Sequence, residues 1–200
     1  VPVTVKSRIG IDDLDSYEFL HTFIEQVALA GCEHFIIHAR KAWLSGLSPK
    51  QNRDIPPLDY ARVYQIKQDF SDLEISINGG IKSLIEANNH LQHIDGVMIG
   101  REIYNSPYML SAVDQQIYGV EKDLISREQV INLMAEYVDE YVSTTPKHGN
   151  NRAWHVLRHT LGLCNGLAGA RQYRRYLSEC AGQADANGNT LKEAFLRVSQ

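Results

Sequence analysis

The sequence predicts an α/β chain: the C-terminal half of a (β/α)8 barrel over residues 1–118, followed by an all-helical region over 119–200. Three observations predict it. The first hundred residues alternate runs rich in β-branched residues with runs of helical periodicity. Two of the strand-like runs end in glycine, in SINGGIKS (Ser76–Ser83) and VMIGREI (Val97–Ile103). After Pro107 no strand-like run remains. Alternating strands and helices with buried strands imply a parallel sheet. Four such units make half of a barrel that typically needs about 250 residues; an open doubly wound sheet satisfies the same pattern.

The elements follow in order. VTVKSRI (Val3–Ile9) is the first strand. SYEFLHTFIEQVALAG places Phe19, Phe23, Ile24 and Val27 at helical spacing, with Ser16 as N-cap and Gly31 as the stop. HFIIHA is the second strand. A long polar loop leads to DYARVYQIKQDF, a helix with Val63, Ile66 and Phe70 on one face. LEISIN is the third strand, SLIEANNHL a helix, and DGVMIG the fourth strand, followed by REIYNSP. Beyond it MLSAVDQQIYG, REQVINLMAEYVDEYV, RAWHVLRHTLGLC, ARQYRRYLSEC and LKEAFLRVS all read as helices. The sequence style changes within Gly119–Ser126, and no internal repeat or low-complexity segment interrupts the chain.

Composition narrows the function classes. Two hundred residues at 44% hydrophobic suffice for a real core, and a net charge of −4 gives no global sign of a nucleic-acid or membrane partner. Cys32, Cys164 and Cys180 are odd in number and share no metal-ligand spacing, which fits a reducing cytoplasm and predicts no metal site. No apolar run approaches the roughly 20 residues of a membrane span, and no signal peptide is recognisable. The chain opens on VPVTVK, already a strand and without a methionine, and reads as a piece of a longer protein.

Glycine is placed where the backbone turns with positive φ or lets something come close. If the four strands are the last four of a barrel, Asn78, Gly79, Gly80, Gly100 and Arg101 gather at its common phosphate site. Backbone N–H groups and the Arg101 guanidinium would then hold one phosphate. Two ordinary strand-to-helix turns fit the same residues. Lys6 and His38 lie at the C-terminal ends of the first two strands, the face on which barrel active sites are built. A rim lysine that snorkels and a core histidine bonded to backbone are the bland readings.

Charge is uneven. No carboxylate lies between Glu33 and Asp54, where Arg40, Lys41, Lys50 and Arg53 occur. None lies between Glu140 and Glu179, where Lys147, Arg152, Arg158, Arg171, Arg174 and Arg175 occur with Trp154, Tyr173 and Tyr176. Arg171, Arg174 and Arg175 share a helix face by their i, i+3, i+4 spacing. A basic stripe with interleaved aromatics suggests a phosphate backbone and exposed bases; a solvated face is the alternative.

Taken together, VPVTVKSRIGIDD, FIIHARKAWLSGLSPKQNRDIPPL, SINGGI, DGVMIGR and GLAGARQYRRYLSE resemble the tRNA-dihydrouridine synthases, DusA type, over nearly the whole chain. The resemblance implies an FMN-binding barrel followed by a helical tRNA-binding domain, with NADPH as electron donor. It implies reduction of the C5–C6 bond of D-loop uridines, those called 20 and 20a, in tRNA. Lys6 and His38 match the family's flavin contacts; Asn78, Gly79, Gly80, Gly100 and Arg101 match its FMN-phosphate turns. Lys50 and Arg53 lie in the loop that meets tRNA beside the active site, and Arg171 and Arg174 match tRNA contacts of the helical domain. It further implies hydride delivery to C6 of a flipped-out uridine and proton donation to C5 by a cysteine. That cysteine belongs to an Asn-Cys-Gly-Cys-Pro type loop, which Cys32, Cys164 and Cys180 do not match. The chain is therefore expected to hold no catalytic residue, to correspond to the C-terminal part of such an enzyme and to be inactive alone. Two readings compete: an FMN-dependent barrel oxidoreductase of a small molecule, and an RNA-binding module without chemistry. The oligomeric state is not legible in the sequence.

Overall fold

A computed structural model describes residues 1–144 and 152–198. The chain forms two compact units, Val1–Gly100 and Arg101–Gln200. The first is a parallel sheet of β1 (Thr4–Arg8), β2 (His34–His38), β3 (Glu74–Asn78) and β4 (Gly96–Met98), in the spatial order β1-β2-β3-β4. Helices α1 (Tyr17–Leu29), α2 (Tyr60–Asp69) and α3 (Leu84–Leu91) connect successive strands. Each helix begins where a side chain accepts a free backbone N–H: Ser16 from Phe19, Asp59 from Arg62, and Ser83 from Glu86.

Strand register gives the sheet two different faces. Phe35, Ile37, Ile75 and Ile77 alternate along β2 and β3 and are wholly buried, as are Ile24 of α1 and Val63 and Ile66 of α2. Leu20 of α1 is buried too. Burying each such side chain contributes about 1.5–3 kcal/mol. The intervening positions carry the polar groups. Lys6, Ile36, Ser76 and Gly96 form one row across the sheet, and Arg8, His38, Asn78 and Met98 the next.

The buried stripe of α1 keeps Ile24 of the expected residues but not Phe19 or Phe23. Leu20 and Ile24 are buried, whereas Phe19 and Phe23 are about two-fifths exposed. Positions 19 and 23 repeat with the same helical period as 20 and 24 but lie one residue, or about 100°, round the helix. Periodicity alone does not choose between the two stripes.

The second unit contains α4 (Arg101–Asn105), a 3-10 turn (Pro107–Ala112), α5 (Val113–Gln116), α6 (Arg127–Thr144), α7 (Arg152–Leu157), α8 (Ala170–Cys180) and α9 (Gly188–Phe195). Its core gathers Ile131, Val138, Leu157, Leu163, Tyr173, Leu177 and Leu191. The buried Tyr173 hydroxyl donates to the Thr160 carbonyl at 3.1 Å. The compact units divide between Gly100 and Arg101. Tyr108 shows why: its ring packs on the second core, its hydroxyl reaches the Ile125 carbonyl at 2.8 Å, and Arg127 stacks over it at 3.8 Å.

RAWHVLRHTLGLC is not one helix. It is helical to Leu157 and then turns, with the Thr160 hydroxyl bonded back to the Leu157 carbonyl at 2.8 Å. Gly162 sits so close to Asn105 that a Cβ there would lie 2.0 Å from its carbonyl oxygen. MLSAVDQQIYG likewise resolves into the 3-10 turn and the short α5. No helix among the described residues is long and apolar enough to cross a membrane.

Candidate functional site

The site is built on the polar face of the first unit, at the C-terminal ends of the strands. Lys6 projects from β1 across β2 and donates from Nζ to Asn78 Oδ1 on β3 at 3.1 Å. Asn78 passes the contact on, its Nδ2 donating to the Met98 carbonyl of β4 at 2.7 Å. One line of polar contacts thus spans all four strands. Burial and, secondarily, the nearby Arg8 lower the Lys6 pKa from its ordinary 10.5. A neighbouring anion or carbonyl would relieve that cost.

Asn78 leads into the two-glycine turn. Gly79 has φ +118° and Gly80 φ +73°, backbone that L side chains rarely adopt. The buried His38 ring lies directly beneath: a Cβ on Gly79 would come within 2.6 Å of His38 Cδ2 and 2.9 Å of Nε2. Leu58 and Tyr60 crowd Gly80, and the Tyr60 hydroxyl donates to the Gly79 carbonyl at 2.8 Å. Among the described residues no hydrogen bond uses the backbone N–H of Gly80 or Ile81. Gly100, after β4, is the opposite case: a Cβ there meets no atom within 4 Å. Lys6, His38, Asn78, Gly79 and Gly80 are thus brought together in the first unit, with Gly100 at its end; Arg101 opens α4 in the second.

The loop after β2 is knitted rather than loose. Arg8, which the sequence reading did not single out, donates from Nη1 to the carbonyls of Lys41 (2.9 Å) and Asn52 (3.0 Å). The Asn52 amide pairs reciprocally with the Trp43 backbone, at 2.8 Å and 2.5 Å. Lys41 forms an ion pair with Asp15 at 2.5 Å, and that bond holds the Asp15 carboxyl below its ordinary range. Arg40 donates to the Pro56 carbonyl. Lys50 and Arg53 remain exposed at a 3-10 turn (Gln51–Arg53). Arg8 could have been found from period two alone, which puts it on the same strand face as Lys6.

In the second unit Arg171, Arg174 and Arg175 are exposed on α8, opposite the buried Ala170, Tyr173 and Leu177. They are not equivalent. Arg175 pairs with Glu179 at 2.8 Å, so the acid just past the acid-free window neutralises it. Arg174 donates to Asn165 Oδ1 at 2.5 Å, and Asn165 Nδ2 donates to the Asn105 carbonyl at 2.5 Å. Arg171 has no partner among the described residues. Arg158 contacts the His159 ring at 3.2 Å. Lys147 lies outside the described residues.

The cysteine of the first unit does not lie at the C-terminal ends of the strands. Cys32 follows α1, with its Sγ against the His34 carbonyl at 3.4 Å. Cys164 is buried in the second core, and burial pushes its thiol up to about 11. No group of three or more candidate metal ligands occurs among the described residues. The arrangement can hold an anion on backbone N–H groups beside a lysine, and it can present exposed cations to a polyanion.

The family model of dihydrouridine synthase (Dus) matches residues 1–200. Curated relatives named tRNA-dihydrouridine(20/20a) synthase align at high identity. The Vibrio cholerae protein is 56% identical over 199 residues, covering 99% of this chain and 59% of the relative. The Shewanella oneidensis protein is 56% identical over 198 residues, covering 99% and 58%. The Escherichia coli protein is 57% identical over 200 residues, covering 100% and 56%. The chain thus spans about three-fifths of the length of these relatives. Among solved structures, a mandelate oxidase aligns with 92% of this chain and 53% of its own at 14% identity; its TM-score of 0.31 is too low to bear on the fold.

Proposed function

The chain belongs to the dihydrouridine synthase (Dus) family, and from that premise we propose that it forms the C-terminal part of a flavin-dependent tRNA-dihydrouridine synthase. In this reading residues 1–118 complete an FMN-binding barrel and 119–200 serve as a helical tRNA-binding domain. The reaction is reduction of the C5–C6 bond of D-loop uridines in tRNA, with NADPH as electron donor, and it takes place in the cytoplasm. The targets are the uridines 20 and 20a that the relatives' names carry.

The observation that carries the reading is the polar line Lys6–Asn78–Met98 beside the Gly79–Gly80 turn, at the C-terminal ends of four parallel strands. Barrel sites are built at those ends, with phosphate held after the last two strands. The strand order runs β1-β2-β3-β4 without the reversal that defines a doubly wound sheet, which favours the half-barrel.

FMN fits the residues present. The N–H groups of Gly80 and Ile81 lack an acceptor among the described residues, and nothing crowds Gly100. Asn78, Gly79, Gly80, Gly100 and Arg101 would hold the phosphate, and Lys6 and His38 the ring system. A flavin held there would supply hydride transfer, with NADPH as the reductant. Lys6, its ammonium held by Asn78 at the strand ends, suits an electron-rich ring edge. Lys50 and Arg53, exposed on the clasped loop, and Arg171 and Arg174, on α8, hold tRNA. The proton for C5 comes from a cysteine outside this chain, because Cys32, Cys164 and Cys180 do not match the Asn-Cys-Gly-Cys-Pro type loop that supplies it; the chain alone is inactive.

The test is the dihydrouridine content of tRNA from a strain lacking the gene, by mass spectrometry of the D-loop fragment. Loss at 20 and 20a, restored by the full-length protein, is expected. Unchanged dihydrouridine would remove the reading.

A further inference from the structure

The weak point of a phosphate-binding turn made of two glycines is the peptide between them. With no Cβ on either side, the Gly79–Gly80 peptide is the softest in the turn, free to rotate its N–H away from a ligand. Something outside the turn has to fix it. A trans peptide is planar, so whatever holds the Gly79 carbonyl also aims the Gly80 N–H in the opposite direction.

The Tyr60 hydroxyl holds that carbonyl, at 2.8 Å. Tyr60 is itself well anchored. It is the first residue of α2, and the preceding Asp59 donates from its backbone to the Ala39 carbonyl at 2.8 Å. Ala39 in turn donates to the carbonyl of Asn78, the residue that leads into the turn, at 2.9 Å. The start of α2 is thereby tied to both residues on either side of the Asn78–Gly79 bond.

The ring is buttressed from behind. It stands edge-on to the buried His90, with centroids 4.5 Å apart. His90 Nδ1 lies 2.6 Å from the Tyr64 hydroxyl. Burial lowers the His90 pKa from its ordinary 6.5 and raises that of Tyr60, so the histidine is neutral and the tyrosine keeps its proton for Gly79. The side on which a Gly80 Cβ would stand is filled, by Leu58 Cδ1 at 2.6 Å and Tyr60 Oη at 3.0 Å.

We infer that Tyr60 is a positioning residue that locks the Gly79–Gly80 peptide, so that the Gly80 N–H faces the phosphate of a bound flavin mononucleotide. The inference rests on reading the turn as the flavin-phosphate site. It predicts that Tyr60 acts on the phosphate alone and not on the flavin ring.

The test is Tyr60→Phe in the full-length protein, with dissociation constants measured for FMN and for riboflavin, which lacks only the phosphate. Phenylalanine keeps the ring against His90 and deletes one hydroxyl. FMN is expected to bind about three- to tenfold more weakly, the worth of one hydrogen bond, with riboflavin unchanged. The ratio of the two affinities then falls by that factor. A variant that loses FMN and riboflavin equally has a general packing defect, and one that binds FMN as before has an idle hydroxyl; either overturns the role given to Tyr60. A wild-type protein that binds FMN no better than riboflavin overturns the phosphate site itself, a failure distinct from the other two.

Discussion

Alanine at Gly79 and at Gly100 should have opposite effects on stability and a shared effect on flavin. At Gly79 the new methyl would sit 2.6 Å from His38 Cδ2 and 3.1 Å from Leu58 Cδ2, at φ +118°. Backbone strain of that kind costs about 1–3 kcal/mol, and overpacking a filled site about 1–3 kcal/mol more. The sum, about 2–6 kcal/mol, is a large part of the roughly 5–15 kcal/mol that stabilises a typical domain. At Gly100 no atom lies within 4 Å of the new Cβ and φ is not positive, so Gly100→Ala should leave stability unchanged or raise it by about 0.4–1 kcal/mol. Urea denaturation of the flavin-free full-length protein reads both numbers. FMN titration of the same samples should then show Gly100→Ala folded but poor at holding FMN, because the methyl occupies the approach of the phosphate. A Gly79→Ala loss under about 1 kcal/mol would refute the close packing of His38. Wild-type FMN affinity in Gly100→Ala would refute a ligand at the end of β4.

Arg101→Ala should weaken FMN by one or two charge-assisted hydrogen bonds, about 1.5–3 kcal/mol each, read as retention of the yellow chromophore on dilution. Arg171→Ala, removing a cation with no described partner, should lower tRNA affinity and reduce the log–log salt slope by about 0.7–0.9; Arg174→Ala should do the same and also release Asn165. A variant with wild-type affinity and slope would return that arginine to a merely solvated face. Asp95 predicts an acid limit: burial pushes its carboxyl up, but the Ile75 N–H at 2.8 Å and Lys67 at 2.9 Å outweigh that and hold its pKa below the ordinary 3.8. Its contribution is therefore complete above about pH 4 and is lost as pH falls through the depressed value. Asp95→Asn should be less stable at neutral pH, with a flatter acid limb in a pH series of melting curves.

Much of the fold was legible because the strands obey strong local rules. Val, Ile and Thr runs bounded by caps such as Ser16 and Ser83 left little freedom in where β1 to β3 and α1 to α3 fall. The candidate residues on the strand ends were legible for a similar reason: Lys6, His38 and Asn78 are polar groups in otherwise apolar runs. What was not legible depends on contacts distant in sequence. Whether Phe19 or Leu20 faces inward is decided by the sheet, not by the helix. RAWHVLRHTLGLC carries helical periodicity, yet Gly162 must approach the Asn105 carbonyl, and no local signal announces that. Tyr60 looked like one more helix-start residue; only the path of the chain brings its hydroxyl to Gly79. Arg175 looked like part of a basic stripe until Glu179, one turn on, was seen to face it.

The alternation of β3 sets limits on how such a chain can evolve. Ile75 and Ile77 point into the apolar core, while Ser76, itself buried, and Asn78 stand on the polar side. Gain or loss of a single codon within Glu74–Asn78 would exchange the two sets, sending isoleucines to the strand-end chemistry and an amide into the core. Substitution carries no such penalty: Asn78 can be replaced without moving either isoleucine. New chemistry on this sheet is therefore reached by changing letters at fixed length, and changes of length are confined to the connections, such as the long segment between β2 and α2.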